Sequence, residues 1–228
     1  MILAIDTSTD QAGLAVVEDG TVLAEMEWRA RGNHSRQAPP AIDQLFRFAA
    51  RDLAATQLVA VAVGPGSFSG IRAGLSLAKG LSFGLGIPLA GVPTLDVLGY
   101  QGSALAGGVW AVLPAGRGQV YAARYQGRDS EWRRVQNYAV MTPEEIAARY
   151  AGELLIGEAA EDVARAVLDA AGTPTVPPPF DRVRRASVLA ALADRAWISG
   201  NVGDPSGVEP LYLRRSAAEE KRLAERAQ

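Results

Sequence analysis

Cysteine is missing from this 228-residue chain. Its absence excludes disulfides, zinc–thiolate and iron–sulfur sites, and thiol nucleophiles. Histidine occurs once, as His34. A helical two-histidine metal site needs a second imidazole three or four residues on, where the chain has Gln37 and Ala38. No histidine-based metal pair can form, and a sole imidazole at the start of a helix makes a poor member of a Ser-His-Asp triad. Lysine is confined to Lys79 and Lys221, and the net charge is −2. No global positive field therefore draws the protein onto nucleic acid or an anionic membrane. Long apolar runs are lacking too. The stretch from Ile71 to Val92 is broken by Arg72, Lys79, five glycines and Pro88, whereas a bilayer span needs about 20 apolar residues in one helix. The opening residues, Met1 to Asp6, carry no basic region and meet an acid at once. They read as a buried strand rather than a secretory leader, and a cytoplasmic location is expected.

What is present is an ordinary globular balance, 48% apolar and 21% charged, sufficient for a real core. Strands are predicted at 2–6, 12–17 and 21–28, the last two around a Glu18-Asp19-Gly20 turn. A helix follows, with Asn33 and Ser35 as cap candidates and Pro39-Pro40 in its first turn. Ala38, Ala41, Ile42, Leu45, Phe46, Ala49 and Leu53 fall on one of its faces. A strand at 58–63 runs into the glycine-rich segment 64–70, then a helix to about Gly84, a strand at 87–92 and a short helix from Pro93-Thr94. Three antiparallel strands followed by alternating helix and strand form the half-unit of the actin-like architecture.

A second unit loosely repeats the first. Strands are expected at 109–113, 119–125, 131–140 and 154–156, and helices at 143–149, 159–171 and 186–199. Thr142 to Glu145 form a capping box. The tail reads as a strand-like segment at 210–214 and a charged helix from Ser216 to Ala227, where Glu219 and Glu220 pair with cations such as Arg222. The expected fold is thus α/β, a two-lobed actin-like (ASKHA) architecture of mixed sheets flanked by helices, with a degraded second lobe. The lobes are placed at 1–102 and 103–205, and the C-terminal segment at 206–228.

Three features could carry function. Asp6-Thr7-Ser8 ends the first strand, where an acid and small hydroxyls can contact a phosphate or nucleotide. The preferred reading is structural, with Asp6 capping the turn. The segment from Gly64 to Gly70 joins a strand to a helix, where free N–H groups favour an anion. It matches neither a Walker loop nor a dinucleotide fingerprint, and Ser67 is a ready helix cap.

The third feature is the helix that follows. Gly70, Gly74 and Ala78 recur every four residues, and Ala73, Ser76, Gly80 and Gly84 line a neighbouring stripe. Each interior glycine costs about 1 kcal/mol relative to alanine, so close backbone approach must compensate. Arg72 and Lys79 share one face and the remainder is small or apolar, which predicts burial on more than one side. A partner subunit is the preferred cover, with the chain's own second lobe as the alternative. Arginine groups at Arg133-Arg134, at Arg182, Arg184 and Arg185, and at Arg214-Arg215 read as solvated faces rather than RNA contacts.

Several of these segments resemble one known family. Ile2-Leu-Ala-Ile-Asp-Thr-Ser-Thr9, His34-Ser35, Ala62-Val-Gly-Pro-Gly-Ser-Phe-Ser-Gly-Ile-Arg72, Ala78-Lys-Gly-Leu81, Gly86-Ile-Pro-Leu-Ala-Gly-Val92, Leu95-Asp96 and Pro210-Leu-Tyr-Leu-Arg214 are similar to the bacterial TsaB (YeaZ-type) family. The first 100 residues carry most of the likeness. It implies a non-catalytic scaffold subunit of the system that transfers a threonylcarbamoyl group to N6 of adenosine 37 in tRNAs reading codons that start with A. It implies partnership with a catalytic TsaD-type paralogue and a TsaE-type ATPase, a homodimer when alone, and contact with tRNA mainly through the complex. The paralogue's His-x-x-x-His pair falls on His34 and Ala38, so half of it is missing. No tightly bound cofactor is implied, only weak ATP or ADP at an intersubunit interface.

With the small-residue stripe, the likeness assigns pairing to the helices covering 35–51 and 67–84. The residues concerned are Ser35, Ile42, Leu45, Phe46, Gly66, Ser67, Phe68, Gly70, Ile71, Ala73, Gly74, Leu77, Ala78 and Leu81. The likeness fails in the second lobe. There an Asp-Ala-Arg-x-Gly-Glu-Val-Tyr pattern is replaced by Pro114 to Tyr121, without the acid and one arginine, so no anion or nucleotide site is carried over. The competing functions are an actin-like small-molecule kinase or ATPase and, less favoured, a glycoprotease-like hydrolase.

Overall fold

A strand buried on both faces needs apolar side chains at successive positions, and Ile2 to Ile5 supply them. In the computed structural model, which describes residues 1–128 and 131–214, this segment is β1 (Ile2–Asp6), buried throughout. Leu3 and Ile5 enter one core, while Ile2 and Ala4 enter another on the opposite face. It pairs antiparallel with β2 (Gln11–Glu18) and parallel with β4 (Leu58–Ala62). With β3 (Thr21–Arg29) and β5 (Leu89–Val92) the first sheet has the order β3-β2-β1-β4-β5, the mixed half-unit expected.

Helices α1 (His34–Ala49) and α2 (Phe68–Leu85) cover one face of this sheet through Ile42, Leu45, Phe46, Leu75 and Ala78. Helix α1 starts earlier than expected, at His34, so Pro39 and Pro40 lie inside it rather than in its first turn. Each proline removes one i→i−4 hydrogen bond. The carbonyls left over belong to Ser35 and Arg36, which are exposed and can turn to water. Helix α2 is capped as anticipated, the Ser67 hydroxyl accepting from Gly70 N–H at 3.3 Å.

The second sheet contains β6 (Gly108–Gly116), β7 (Gln119–Gln126), β8 (Arg133–Met141) and β9 (Leu154–Ile156) in the order β8-β7-β6-β9. This repeats the first sheet without its fifth strand. A parallel bridge between Leu154 and Thr175 stands where that strand would lie, a physical form of the expected degradation. Helices α4 (Pro143–Ala147), opened by the Thr142–Glu145 capping box, and α5 (Ala160–Asp169) pack on one face.

The remaining two helices change sides. Helix α3 (Thr94–Ser103) places Leu95 and Leu98 in the core of the second sheet. Helix α6 (Ala186–Ile198) places Leu189, Ala190 and Ala193 on the first. Packing therefore does not follow the expected boundaries near residues 102 and 205, because each unit's last helix buries its apolar stripe on the other unit's sheet. The tail departs as well. Residues 210–214 form no strand, and Leu211 N–H donates once, to Val63 O at 2.7 Å. The expected helix 216–227, with Glu219, Glu220 and Arg222, lies outside the described residues. Among the described residues no helix is long and apolar enough to cross a membrane.

Candidate functional site

The two stripes of small residues on α2 have different roles. A Cβ on Gly70 would lie 2.2 Å from Thr7 O, one on Gly74 would lie 2.2 Å from Thr7 Oγ1, and one on Gly66 would lie 2.0 Å from Ser8 O. Ser67 N–H donates to Ser8 O at 2.6 Å. The chain's own β1–β2 turn thus approaches these glycines, with its backbone at Gly66 and Gly70 and with the Thr7 side chain at Gly74, which corrects the expectation that a partner requires them. The other stripe behaves differently. Among the described residues nothing lies within 4 Å of a Cβ on Gly80 or Gly84, and Ser76, Gly80 and Gly84 are exposed with Ala73 half-buried.

The C-terminal segment contacts the charged face of α2. Lys79 Nζ donates to Ser206 O at 3.1 Å and Arg72 Nε to Tyr212 Oη at 3.0 Å. Phe68 stacks on Tyr212 at 4.8 Å, with the Arg72 guanidinium 3.8 Å from the Phe68 centroid.

The fourteen assigned pairing residues separate accordingly. Ser35 and Ser67 are exposed, while Gly66, Phe68, Ala73, Leu77 and Leu81 are half-buried. Ile42, Leu45, Phe46, Gly70, Ile71, Gly74 and Ala78 are already buried within this chain. Of the residues not buried, Leu77 and Leu81 line a groove of about 550 Å³ between α1 and α2, where they and Pro39, Ile42, Phe46 and Leu53 meet the charged Asp43, Arg47 and Arg51. Phe48 on α1 and Phe83 on α2 stand 68% and 58% exposed. An apolar groove beside a glycine ridge suits close contact with another polypeptide.

Asp6, Thr7 and Ser8 do come together, but they face inward. Asp6 is 3% exposed. Its Oδ1 accepts from Ser8 N–H at 2.8 Å and Ser8 Oγ–H at 2.6 Å, and its Oδ2 accepts from Arg184 Nε at 2.8 Å. Thr7 Oγ1 donates to Gly70 O at 2.8 Å. These residues do not fit a phosphate or its metal, since their polar atoms are engaged and a guanidinium already neutralises the acid. Arg184 and Glu158, which complete the cluster, were missed by sequence reasoning. They lie far along the chain, and Arg184 was grouped with its exposed neighbours.

His34 is buried beside Gly70, and its Nδ1 has no hydrogen-bond partner among the described residues. Burial lowers its pKa below the ordinary 6.5, against the opposing pull of Asp10 and Asp6. Among the described residues no group of three His, Cys, Asp or Glu side chains could hold a metal ion. The arginine groups are mostly paired. Arg134 meets Asp96 at 3.1 Å, Arg182 meets Glu161 at 2.8 Å and Arg185 meets Glu25 at 3.1 Å. Arg133 is exposed, Arg214 donates to Ala115 O, and Arg215 lies outside the described residues. The divergent Pro114–Tyr121 segment is a tight hairpin between β6 and β7, with Arg117 and Gly118 both at positive φ.

A family model described as TsaD, tRNA N6-adenosine threonylcarbamoyltransferase, matches residues 28–187. Relatives include the tRNA threonylcarbamoyladenosine biosynthesis protein TsaB of Bacillus subtilis, 41% identical over 128 residues, and that of Escherichia coli, 37% identical over 153 residues. The matches span 55% of this chain and of the Bacillus protein, and 65% of this chain and of the Escherichia protein. The chain thus spans between half and two thirds of the length of these curated relatives. YeaZ from Pseudomonas aeruginosa superposes with a TM-score of 0.80 at 26% identity, over 93% of this chain and 99% of that one, and both share the actin-like fold. The chain belongs to the TsaD family, and within it to the TsaB (YeaZ) type.

Proposed function

We propose that this chain is a non-catalytic scaffold subunit for threonylcarbamoyl transfer to N6 of adenosine 37 in tRNAs reading codons that start with A. It acts with a catalytic TsaD-type paralogue and a TsaE-type ATPase, self-pairs when alone, and meets tRNA mainly through the complex in the cytoplasm. The observation carrying this reading is the α1–α2 face left uncovered by the described residues, where Leu77 and Leu81 border a groove and Gly80 and Gly84 leave room for a second backbone. The biosynthetic role is brought by the names of the Bacillus and Escherichia relatives. The chain's only histidine has Ala38 four residues on, which supports placing the chemistry in a partner. Weak contact with ATP or ADP belongs at the pairing seam in this reading, because Asp6, Thr7 and Ser8 are engaged within the chain. The same engagement argues against an actin-like kinase.

The test is reconstitution. The chain is copurified with the TsaD-type and TsaE-type proteins of the same genome, and tRNA modification is measured with the chain present, omitted, or carrying Leu77→Glu and Leu81→Glu. Modification should fail in the last two cases. Full modification without the chain would overturn the scaffold role, and modification by the chain alone would overturn its non-catalytic character.

A further inference from the structure

We infer that Arg184 is a built-in counter-cation that latches the two sheets together, so that the cleft between them is closed by the protein itself and is not a ligand site.

The cluster draws on three distant segments. Asp6 ends β1 in the first sheet, and Thr9 and Gln11 follow it into β2. Glu158 follows β9 in the second sheet, directly after Gly157, whose φ of +113° and close approach to Val112 O admit no side chain. Arg184 precedes α6, the helix that crosses back to the first sheet. Its Nε donates to Asp6 Oδ2 at 2.8 Å, its Nη1 to Glu158 Oε1, and its Nη2 to Thr9 Oγ1 at 2.7 Å and Gln11 O at 3.0 Å. Thr9 Oγ1 donates onward to Glu158 Oε1 at 2.7 Å. One planar guanidinium therefore bridges a carboxylate from each sheet, a geometry that lysine cannot reproduce.

Electrostatics decides what this arrangement can bind. The side chains of Arg184 and Asp6 are 2% and 4% exposed, and that of Glu158 is 30% exposed. Two carboxylates in so little water need a cation, and breaking one partner out of a buried pair is strongly destabilising. The arginine supplies that charge and fills the space between them. A phosphate would face both acids, and a metal ion would have to displace the guanidinium. Removing the arginine alone would leave an acid pair with oxygen ligands suited to a hard divalent cation.

Thermal unfolding of the full chain tests this, with chelator or with millimolar Mn²⁺ as the probe. Wild type should unfold at the same temperature in both. Arg184→Met should unfold about 10 °C lower with chelator and recover part of the loss in Mn²⁺. Arg184→Met combined with Glu158→Gln should lose the Mn²⁺ response. An Arg184→Met variant as stable as wild type, or a wild-type chain stabilised by Mn²⁺ as much as the variant, would overturn the inference. Where Arg184→Met does not fold, Glu158→Gln decides, since its acid is partly exposed. Faster amide hydrogen exchange at Thr9 to Gln11 than in wild type supports the latch, and unchanged exchange there overturns it.

Discussion

The Thr7 hydroxyl donates a 2.8 Å hydrogen bond to the carbonyl oxygen of Gly70, and that hydroxyl oxygen, Thr7 Oγ1, stands 2.2 Å from the place a Cβ on Gly74 would take. This contact fixes the start of α2 against the end of β1 and separates two kinds of glycine on one helix. Gly74→Leu is therefore expected to damage the monomer itself, and even Gly74→Ala should cost about 1–3 kcal/mol through overpacking. Gly80→Ala, facing open space, should stabilise the monomer by about 1 kcal/mol by removing a helical glycine. Urea titrations of the two alanine variants check this. Equal midpoints would contradict the assignment.

The outer stripe carries the pairing prediction. Gly80→Leu adds bulk where the fold has room, so the monomer should remain folded while association is lost. Light scattering gives the mass and circular dichroism the fold. A Gly80→Leu protein that still pairs at micromolar concentration would move the interface away from this face.

His34 should make stability depend on pH. Its folded pKa is lowered by burial from 6.5, so the unfolded chain binds the proton more readily. The stabilising contribution is complete above about pH 6.5 and falls as pH decreases toward the folded value, with a slope of up to about 1.4 kcal/mol per pH unit. Denaturant midpoints at successive pH values between 7.5 and 5.5 follow this group, with His34→Gln as the control. The slope should be shallower in the variant, and an identical slope would exclude His34 as its source.

Much of the fold was legible because its signals are local. Alternation and apolar runs gave every strand of both sheets, Ser67 and Thr142 announced their helices, and the glycines of α2 pointed to close approach. The partner in that approach was not legible, since Thr7 meets Gly70 across most of the first lobe and nothing in either segment names the other. Arg184 was hidden for the same reason. Flanked by Arg182 and Arg185 it resembles a solvated patch, and only the folded chain turns it onto Asp6. The exchange of α3 and α6 between the sheets was also beyond local reading, because an amphipathic stripe states that a helix is buried but not against which sheet.

Asp96 supplies the last prediction. From the first turn of α3 its carboxylate accepts from Tyr125 Oη at 2.7 Å, Tyr138 Oη at 2.8 Å and Arg134 Nη1 at 3.1 Å, tying α3 to β7 and β8 of the second sheet. Tyr125 is fully buried. Burial and the adjacent carboxylate raise the pKa of both phenols, so each remains a donor at neutral pH. Asp96→Ala would leave the Tyr125 hydroxyl without an acceptor and should cost about 2–4 kcal/mol. Asp96→Asn keeps an acceptor oxygen and loses only the charge, so its cost should be about half. Guanidinium titrations of Asp96→Ala, Tyr125→Phe and the double variant separate the effects. The double variant should be less destabilised than the sum of the singles, because each single change leaves the same bond half-made. Strict additivity would mean that the Asp96–Tyr125 bond does not help hold α3 to the second sheet.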